Sequence, residues 1–237
     1  MSRAIAIGRV SLGGVPRIVA AGGEAELDAL ASVEDADVVE LRADLFDDPR
    51  PETVGHALVR LRAAARPIIL TVRAASEGGR PLAESQRAAL YAVGLPEADA
   101  IDVEIASTAL VADLAPRVRA MGRTLILSAH AIDDTPPAET LLALVDRAFA
   151  LGADLTKLAA RARDLEDVRT LLGVTLAARH RGIVTLAMGD AGTLSRVFFP
   201  AAGSLLTYGH VGRPTAPGQL TVSELAALIR RLYPTSG

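Results

Sequence analysis

Eight short runs rich in Val, Ile, Leu and Ala, at 17–20, 36–42, 67–73, 100–105, 124–130, 154–159, 183–188 and 204–209, alternate with segments of helical period along the chain. Short β-rich runs separated by apolar residues at i, i+3, i+4 spacing read as repeated strand-helix units, and no Pro/Ser-rich linker or charge block divides them. Eight such units at intervals of roughly 20–30 residues are what a (β/α)8 barrel requires. The expected fold is therefore α/β: a single TIM barrel in which residues 1–237 form one catalytic domain. A doubly wound open sheet is the rival, but it would use fewer strands and often a glycine-rich first turn, which is absent here. An extra strand-like segment at 4–10 precedes the first unit. It is expected to pair with a neighbour and close the barrel bottom.

Composition narrows the chemistry. There is no cysteine, which excludes disulfide scaffolds, zinc-cysteine modules and thiol nucleophiles. The formal net charge is -3 with the signs interspersed, so no basic face exists to neutralise phosphates, and neither nucleic acid nor a membrane surface is an expected partner. No run reaches the ~18 apolar residues of a spanning helix, and the amino terminus has no apolar signal-peptide core. A cytoplasmic protein is expected.

One lysine, Lys157, stands among 25 cationic side chains; the other 24 are arginines. A codon bias toward arginine accounts for the missing lysines and leaves the surviving one unexplained. Arginine replaces lysine on a solvated surface, yet a guanidinium cannot supply a deprotonated primary amine. A site that needs amine chemistry keeps its lysine.

In such a barrel the strand C-termini carry function. Strand two ends in VVELRAD, with Glu40, Arg42 and Asp44; strand three ends in TVRAASEGG, with Arg73 and Glu77; strand four carries Asp102 and Glu104. Strand five ends in LSAH at His130, and strand six holds Lys157. Residues two apart share a strand face, so Glu40 and Arg42 can both enter the mouth. A rim salt bridge would explain any one of these; five strands in succession imply a site. Lys157 and His130 fall on adjacent strands. A desolvated amine surrounded by cations such as Arg42 and Arg73 becomes a nucleophile for ketones, and an imidazole can remove the proton the resulting imine acidifies. Glu77 or Glu104 could orient that ring. His56, His180 and His210 read as solvated, and no histidine pair has zinc-helix spacing. Beyond strand seven, Ser195 and Arg196 open a helix. Beyond strand eight, Thr215 and Gln219 lie in a Gly/Pro-rich loop able to fold over an anionic ligand, with Arg196 offering a carboxylate fork.

In order along the chain, ELRAD, TVRAASEGG, IDVE, SAHAIDDTP, GADLTKLA, MGDAGTLSR and TAPGQ resemble the type I 3-dehydroquinate dehydratase family, the Schiff-base class of the shikimate pathway. The resemblance implies conversion of 3-dehydroquinate to 3-dehydroshikimate and water. It further implies Lys157 as the imine-forming lysine, His130 as the acid/base and Glu77 as the carboxylate that orients it. Glu40, Arg42 and Arg73 match residues that hold the substrate's hydroxyls and carboxylate, while Arg196, Thr215 and Gln219 match the carboxylate clamp and lid. A homodimer with no metal and no organic cofactor is implied as well. Thr215 stands where relatives usually have serine, Ala131 and Ile132 where they often carry acidic and aromatic residues, and Leu186 where methionine is common. A class I aldolase acting on a sugar phosphate through the same strand-six lysine is the alternative, and a catalytically silent barrel a more distant one.

Overall fold

The structure is a computed structural model and describes residues 5–233. A hairpin of β1 (Ala6–Ile7) and β2 (Val10–Ser11) comes first, followed by β3 (Arg17–Gly22), α1 (Leu27–Ser32), β4 (Val38–Arg42) and α2 (Pro51–Ala63). Next are β5 (Ile68–Thr71), α3 (Glu84–Gly94), β6 (Ala100–Glu104), α4 (Thr108–Ala120), β7 (Thr124–Ala131) and α5 (Ala138–Ala150). The chain continues through β8 (Leu155–Arg161), α6 (Leu165–Ala178), β9 (Ile183–Met188), α7 (Ser195–Ala202), β10 (Leu206–His210) and α8 (Val222–Leu232). β3 to β10 are parallel, in the order β10-β3-β4-β5-β6-β7-β8-β9, which is the expected barrel.

Each strand alternates its side chains between the lumen and the helix layer. Outward residues such as Val39, Leu41, Leu70 and Val103 pack under the helices. Near the bottom of each strand one lumenal residue is apolar: Val19, Val38, Ile69, Ala100, Ile126, Leu155, Val184 and Leu206 form one buried layer. The next lumenal positions up β4 to β8 are Glu40, Thr71, Asp102, Ser128 and Lys157, all buried. Strands that begin apolar and end polar on one face therefore give a barrel with a dry floor and a charged upper half.

The floor is where expectation and structure part. The segment 4–10 does not add to the barrel sheet; residue 4 lies outside the described residues, and the rest folds back on itself with Ala6 opposite Ser11 and Ile7 opposite Val10. Gly8 at φ +52 makes the reversal possible, because that backbone region disfavours residues with a Cβ. The hairpin still seals the barrel bottom, through packing. Ile7 is fully buried in the lumenal floor layer, a contribution of about 2 kcal/mol by area, and Thr124 Oγ1 donates to the Ala6 carbonyl.

Closure between β9 and β10 relies on side chains. Leu205 N–H reaches the Ile183 carbonyl at 2.9 Å, but the Thr185 N–H donates to Ser204 Oγ at 3.0 Å and the Ala187 N–H to Ser195 Oγ at 3.1 Å. Two hydroxyls thus satisfy strand amides that would otherwise be buried without a partner. α8 starts in a reciprocal cap, with Thr221 Oγ1 accepting from Glu224 N–H and Glu224 Oε2 accepting from Thr221 N–H. That cap fixes the far end of the loop over the mouth.

Candidate active site

Lys157 projects from the middle of β8 into the lumen and is 4% exposed. Its Nζ lies 2.9 Å from Asp102 Oδ2 on β6 and 3.3 Å from Glu40 Oε1 on β4. The Tyr208 ring on β10 lies beneath it, 4.3 Å from Nζ to the centroid. Sequence reasoning placed cations around this amine; its direct partners are carboxylates. The reason is that each nearby guanidinium already has an anion of its own. Arg42 forks onto Asp44 at 2.9 and 2.7 Å. Arg73 reaches Glu104 at 2.7 Å, Ser128 Oγ at 2.8 Å and Asp102 at 3.0 Å. Burial opposes ionisation of Asp102, yet Arg73 and Lys157 hold its carboxyl well below the usual carboxylate range. Glu104 is held down in the same way by Arg73 and Arg87.

His130 closes the inward series Ile126, Ser128, His130 on β7. Glu77 sits on the short turn Ala75–Glu77 after β5. Its Oε2 accepts both the backbone N–H of His130 and the ring Nδ1, each at 2.8 Å. With Glu77 ionised, Nδ1 carries the proton and Nε2 keeps its lone pair. Of the two candidates for orienting the ring, Glu77 does so; Glu104 is engaged by Arg73, Arg87 and the Ala74 N–H. Burial raises the Glu77 carboxyl to about 7 against the pull of Arg73. Burial, with Arg73 and Lys157 adding to it, pushes His130 well below 6.5, so the imidazole is neutral at physiological pH. The GG of TVRAASEGG has a local cause: a Cβ at Gly79 would overlap the Arg73 carbonyl.

Arg196, at the start of α7, is 1% exposed. It donates to three backbone carbonyls: Gly218 at 2.9 Å, Tyr208 at 3.1 Å and Pro217 at 3.4 Å. No carboxylate of the described residues pairs with it. Burial lowers its pKa to about 10, which leaves it cationic at neutral pH and short of an anion. Thr215 donates to Gln219 Oε1 through both its N–H, at 2.8 Å, and its hydroxyl, at 3.1 Å. The Gly189 N–H bonds the Pro217 carbonyl at 3.1 Å, so the 211–220 loop rests on the turn after β9.

The nine residues that the family resemblance gives a catalytic or substrate-binding role, Glu40, Arg42, Arg73, Glu77, His130, Lys157, Arg196, Thr215 and Gln219, line one pocket at the C-terminal mouth of the barrel, whereas Asp44, Asp102, Glu104 and Ser195 lie behind it. Leu186 and Ile132, two of the departures from the family pattern, line it too. His56 and His180 are exposed, as expected, while His210 is half-buried and its Nδ1 faces the Gly212 carbonyl. The sequence reading passed over two participants. Asp102 was noted on its strand without a role, although its place two residues before Glu104 puts it on the same lumenal face. Tyr208 follows Leu206 in the inward register of β10, and that alternation was the available signal. Among the described residues, no group of three or more His, Asp or Glu side chains is placed to hold a metal ion. No helix among them is long and apolar enough to cross a membrane. A buried amine, a neutral imidazole with its tautomer fixed and a buried guanidinium without an anion suit imine formation with a carboxylate-bearing ketone, followed by proton removal beside the imine.

Comparison with known proteins agrees with this chemistry. The family model described as type I 3-dehydroquinase matches residues 18–235. The 3-dehydroquinate dehydratase of Methanocella arvoryzae is 36% identical over 218 residues, covering 92% of this chain and 97% of that protein. The Klebsiella pneumoniae protein of the same name is 36% identical over 203 residues, 80% of each. The crystal structure of 3-dehydroquinate dehydratase from Geobacillus kaustophilus superposes with a TM-score of 0.90 at 31% identity, covering 100% of this chain and 98% of that one. A type I 3-dehydroquinate dehydratase from Clostridium difficile with covalently modified comenic acid gives 0.91 at 26% identity, covering 100% of both chains.

Proposed function

The chain belongs to the type I 3-dehydroquinase family, and from that membership we propose the role of each residue in its pocket. The activity is that of a 3-dehydroquinate dehydratase, a hydro-lyase of the shikimate pathway that converts 3-dehydroquinate to 3-dehydroshikimate and water through a Schiff base. The observation that carries the assignment is the company Lys157 keeps: a buried amine opening onto the same pocket as a Glu77-held imidazole and an anion-free Arg196.

Nε2 of His130 takes a proton from the Lys157 ammonium, the freed Nζ attacks the C3 ketone, and the ketone oxygen takes up that proton to give the carbinolamine. Loss of water, with His130 shuttling the proton, leaves the iminium. Nε2 of His130 then removes a C2 proton; the C–H electron pair forms the enamine double bond, and the C=N pair returns to nitrogen. Collapse of the enamine makes the C1–C2 double bond and expels the C1 hydroxyl, which leaves as water with the proton from His130. A second water hydrolyses the imine, releasing product and the amine. Net, one water is lost. Glu77 holds the Nδ1 proton and stabilises the imidazolium while it exists. Arg196 takes the carboxylate, Gln219 and Thr215 close over it, and Glu40, Arg42 and Arg73 hold the ring hydroxyls, so that the C2 proton faces the imidazole.

The reading takes residues 1–237 as one catalytic domain and the working form as a cytoplasmic homodimer that needs no organic cofactor; light scattering after size-exclusion tests the dimer. A class I aldolase is not favoured, because the family match concerns a dehydratase and the pocket's free cation is a planar fork suited to a carboxylate. Borohydride added with 3-dehydroquinate tests the mechanism: one reduced adduct per chain, on Lys157, is expected, with neither adduct nor turnover in Lys157→Ala. Label on another residue would refute the imine on Lys157.

A further inference from the structure

Tyr208 is the one phenol that lines the pocket, and none of the steps above uses it. Its side chain is 3% exposed, and its hydroxyl is one of three buried side-chain polar atoms with no hydrogen-bond partner among the described residues. The other two, Arg123 Nε and Thr156 Oγ1, belong to residues that do not line this pocket. A buried hydroxyl left without a protein partner is destabilising, and phenylalanine would fill the same volume without that penalty. Packing therefore explains the ring and leaves the oxygen unexplained.

The ring is held against the reacting nitrogen, with its centroid 4.3 Å from Lys157 Nζ. The ring is thereby anchored beside the nitrogen that attacks the ketone, and it lines the same pocket. Burial, with Glu40 and Asp102 nearby, drives the phenol's pKa well above 10, so the group stays protonated and is a hydrogen-bond donor at working pH. We propose that Tyr208 is a substrate-binding residue whose hydroxyl hydrogen-bonds an oxygen of the ring that Lys157 captures. It selects a hydroxylated cyclic ketone over a bare one, since a pocket donor that loses its partner discriminates against the analogue lacking the oxygen.

This inference rests on the imine reading, and the test separates the two. Tyr208→Phe keeps the ring face and removes only the oxygen. Expected are a fall in kcat/KM for 3-dehydroquinate of roughly 3- to 10-fold, the scale of one neutral hydrogen bond, and an unliganded thermal midpoint no lower than wild type. Borohydride trapping on Lys157 should persist at saturating substrate. If wild type turns over and is trapped while Tyr208→Phe has an unchanged kcat/KM, the hydroxyl serves no substrate and the proposal is wrong. A lower midpoint with unchanged kcat/KM would make the oxygen structural, and also overturns it. If wild type itself is neither active nor trapped, the imine reading fails first and takes this inference with it.

Discussion

One carboxylate oxygen, Oε2 of Glu77, receives two hydrogen bonds from a single residue: the His130 backbone N–H and its ring Nδ1, each at 2.8 Å. The first bond fixes where the carboxylate sits, and the second fixes the tautomer. Because burial raises Glu77 to about 7 and pushes His130 well below 6.5, the acid limb of the pH profile belongs to the carboxylate. kcat/KM is expected to fall as pH drops through about 7, where protonated Glu77 stops accepting from Nδ1. Glu77→Gln keeps a neutral acceptor and removes the titration: the limb near 7 should vanish and the plateau drop about tenfold, the difference between a charge-assisted and a neutral hydrogen bond. A carboxyl raised above its unfolded value of ~4.3 adds stability below that value and loses it as pH rises through about 7. Glu77→Gln should therefore be the more stable protein at pH 8, as measured by urea unfolding. An unchanged acid limb in the variant would reassign it.

Asp102 links Lys157, Arg73 and Ser128, and it is fully buried. Asp102→Asn is nearly isosteric, but it turns two ion pairs into contacts between cations and a neutral amide. Removing one partner from a buried network costs about 3 kcal/mol, and urea unfolding at pH 7 should show a loss of that order. Slower borohydride trapping should accompany it as Lys157 loses its closest anchor. The sign with pH follows from the depressed carboxyl: its contribution is complete above the unfolded value of ~3.9 and is lost only as pH falls through the lower folded value. The gap between wild type and variant should hold down to about pH 4 and close below it. Equal stability at pH 7 would show that the network contributes nothing to the fold.

The contrast between what the sequence revealed and what it hid follows from the range of each interaction. Strand positions depend on local pattern: 183–188 was read at its observed bounds, and 17–20 fell short of Gly22 only because the strand runs on into its glycine. Lumenal placement of Glu40, Arg42, Arg73, His130 and Lys157 follows from period-two alternation once strands are assigned. The partner of Lys157 does not. Asp102 lies two strands away and 55 residues back, brought opposite by strand tilt and stagger that no local pattern encodes. The N-terminal hairpin was missed for the opposite reason. It turns on the single left-handed Gly8, and two-residue strands are too short to show a period.

Arg196 is desolvated, bonded only to carbonyls and faces the pocket, so a bound carboxylate would be its first full counter-charge. Arg196→Met keeps the length and apolar stem while deleting the fork. KM for 3-dehydroquinate should rise about 100-fold, within the range for removing one partner of a buried charged pair. The loss should be confined to ligands with a carboxylate: a small cyclic ketone without one should be trapped on Lys157 by borohydride at the same rate in both proteins. Equal weakening toward the carboxylate-free ketone would point to collapse of the 211–220 loop and away from a lost clamp.

The seam between β9 and β10 gives a prediction independent of the chemistry. Ser204 Oγ accepts the Thr185 N–H at 3.0 Å and donates to the Leu206 carbonyl at 3.2 Å, spanning a gap that elsewhere in the barrel is filled by strand ladders. Ser204→Ala leaves that amide buried without an acceptor, at about 2 kcal/mol. For a chain of this size, 1 kcal/mol moves the midpoint by about 2–4 °C, so differential scanning calorimetry should find Tm lower by about 4–8 °C. Neither Ser204 nor Thr185 lines the pocket, and kcat/KM at 25 °C should stay within about twofold, since surviving molecules keep the site intact. A variant as stable as wild type would mean that Leu205 and the flanking helices close the barrel without the hydroxyl. A large loss of activity at full stability would instead show that the seam transmits strain to Arg196, whose backbone carbonyl accepts from Thr207 on the neighbouring strand.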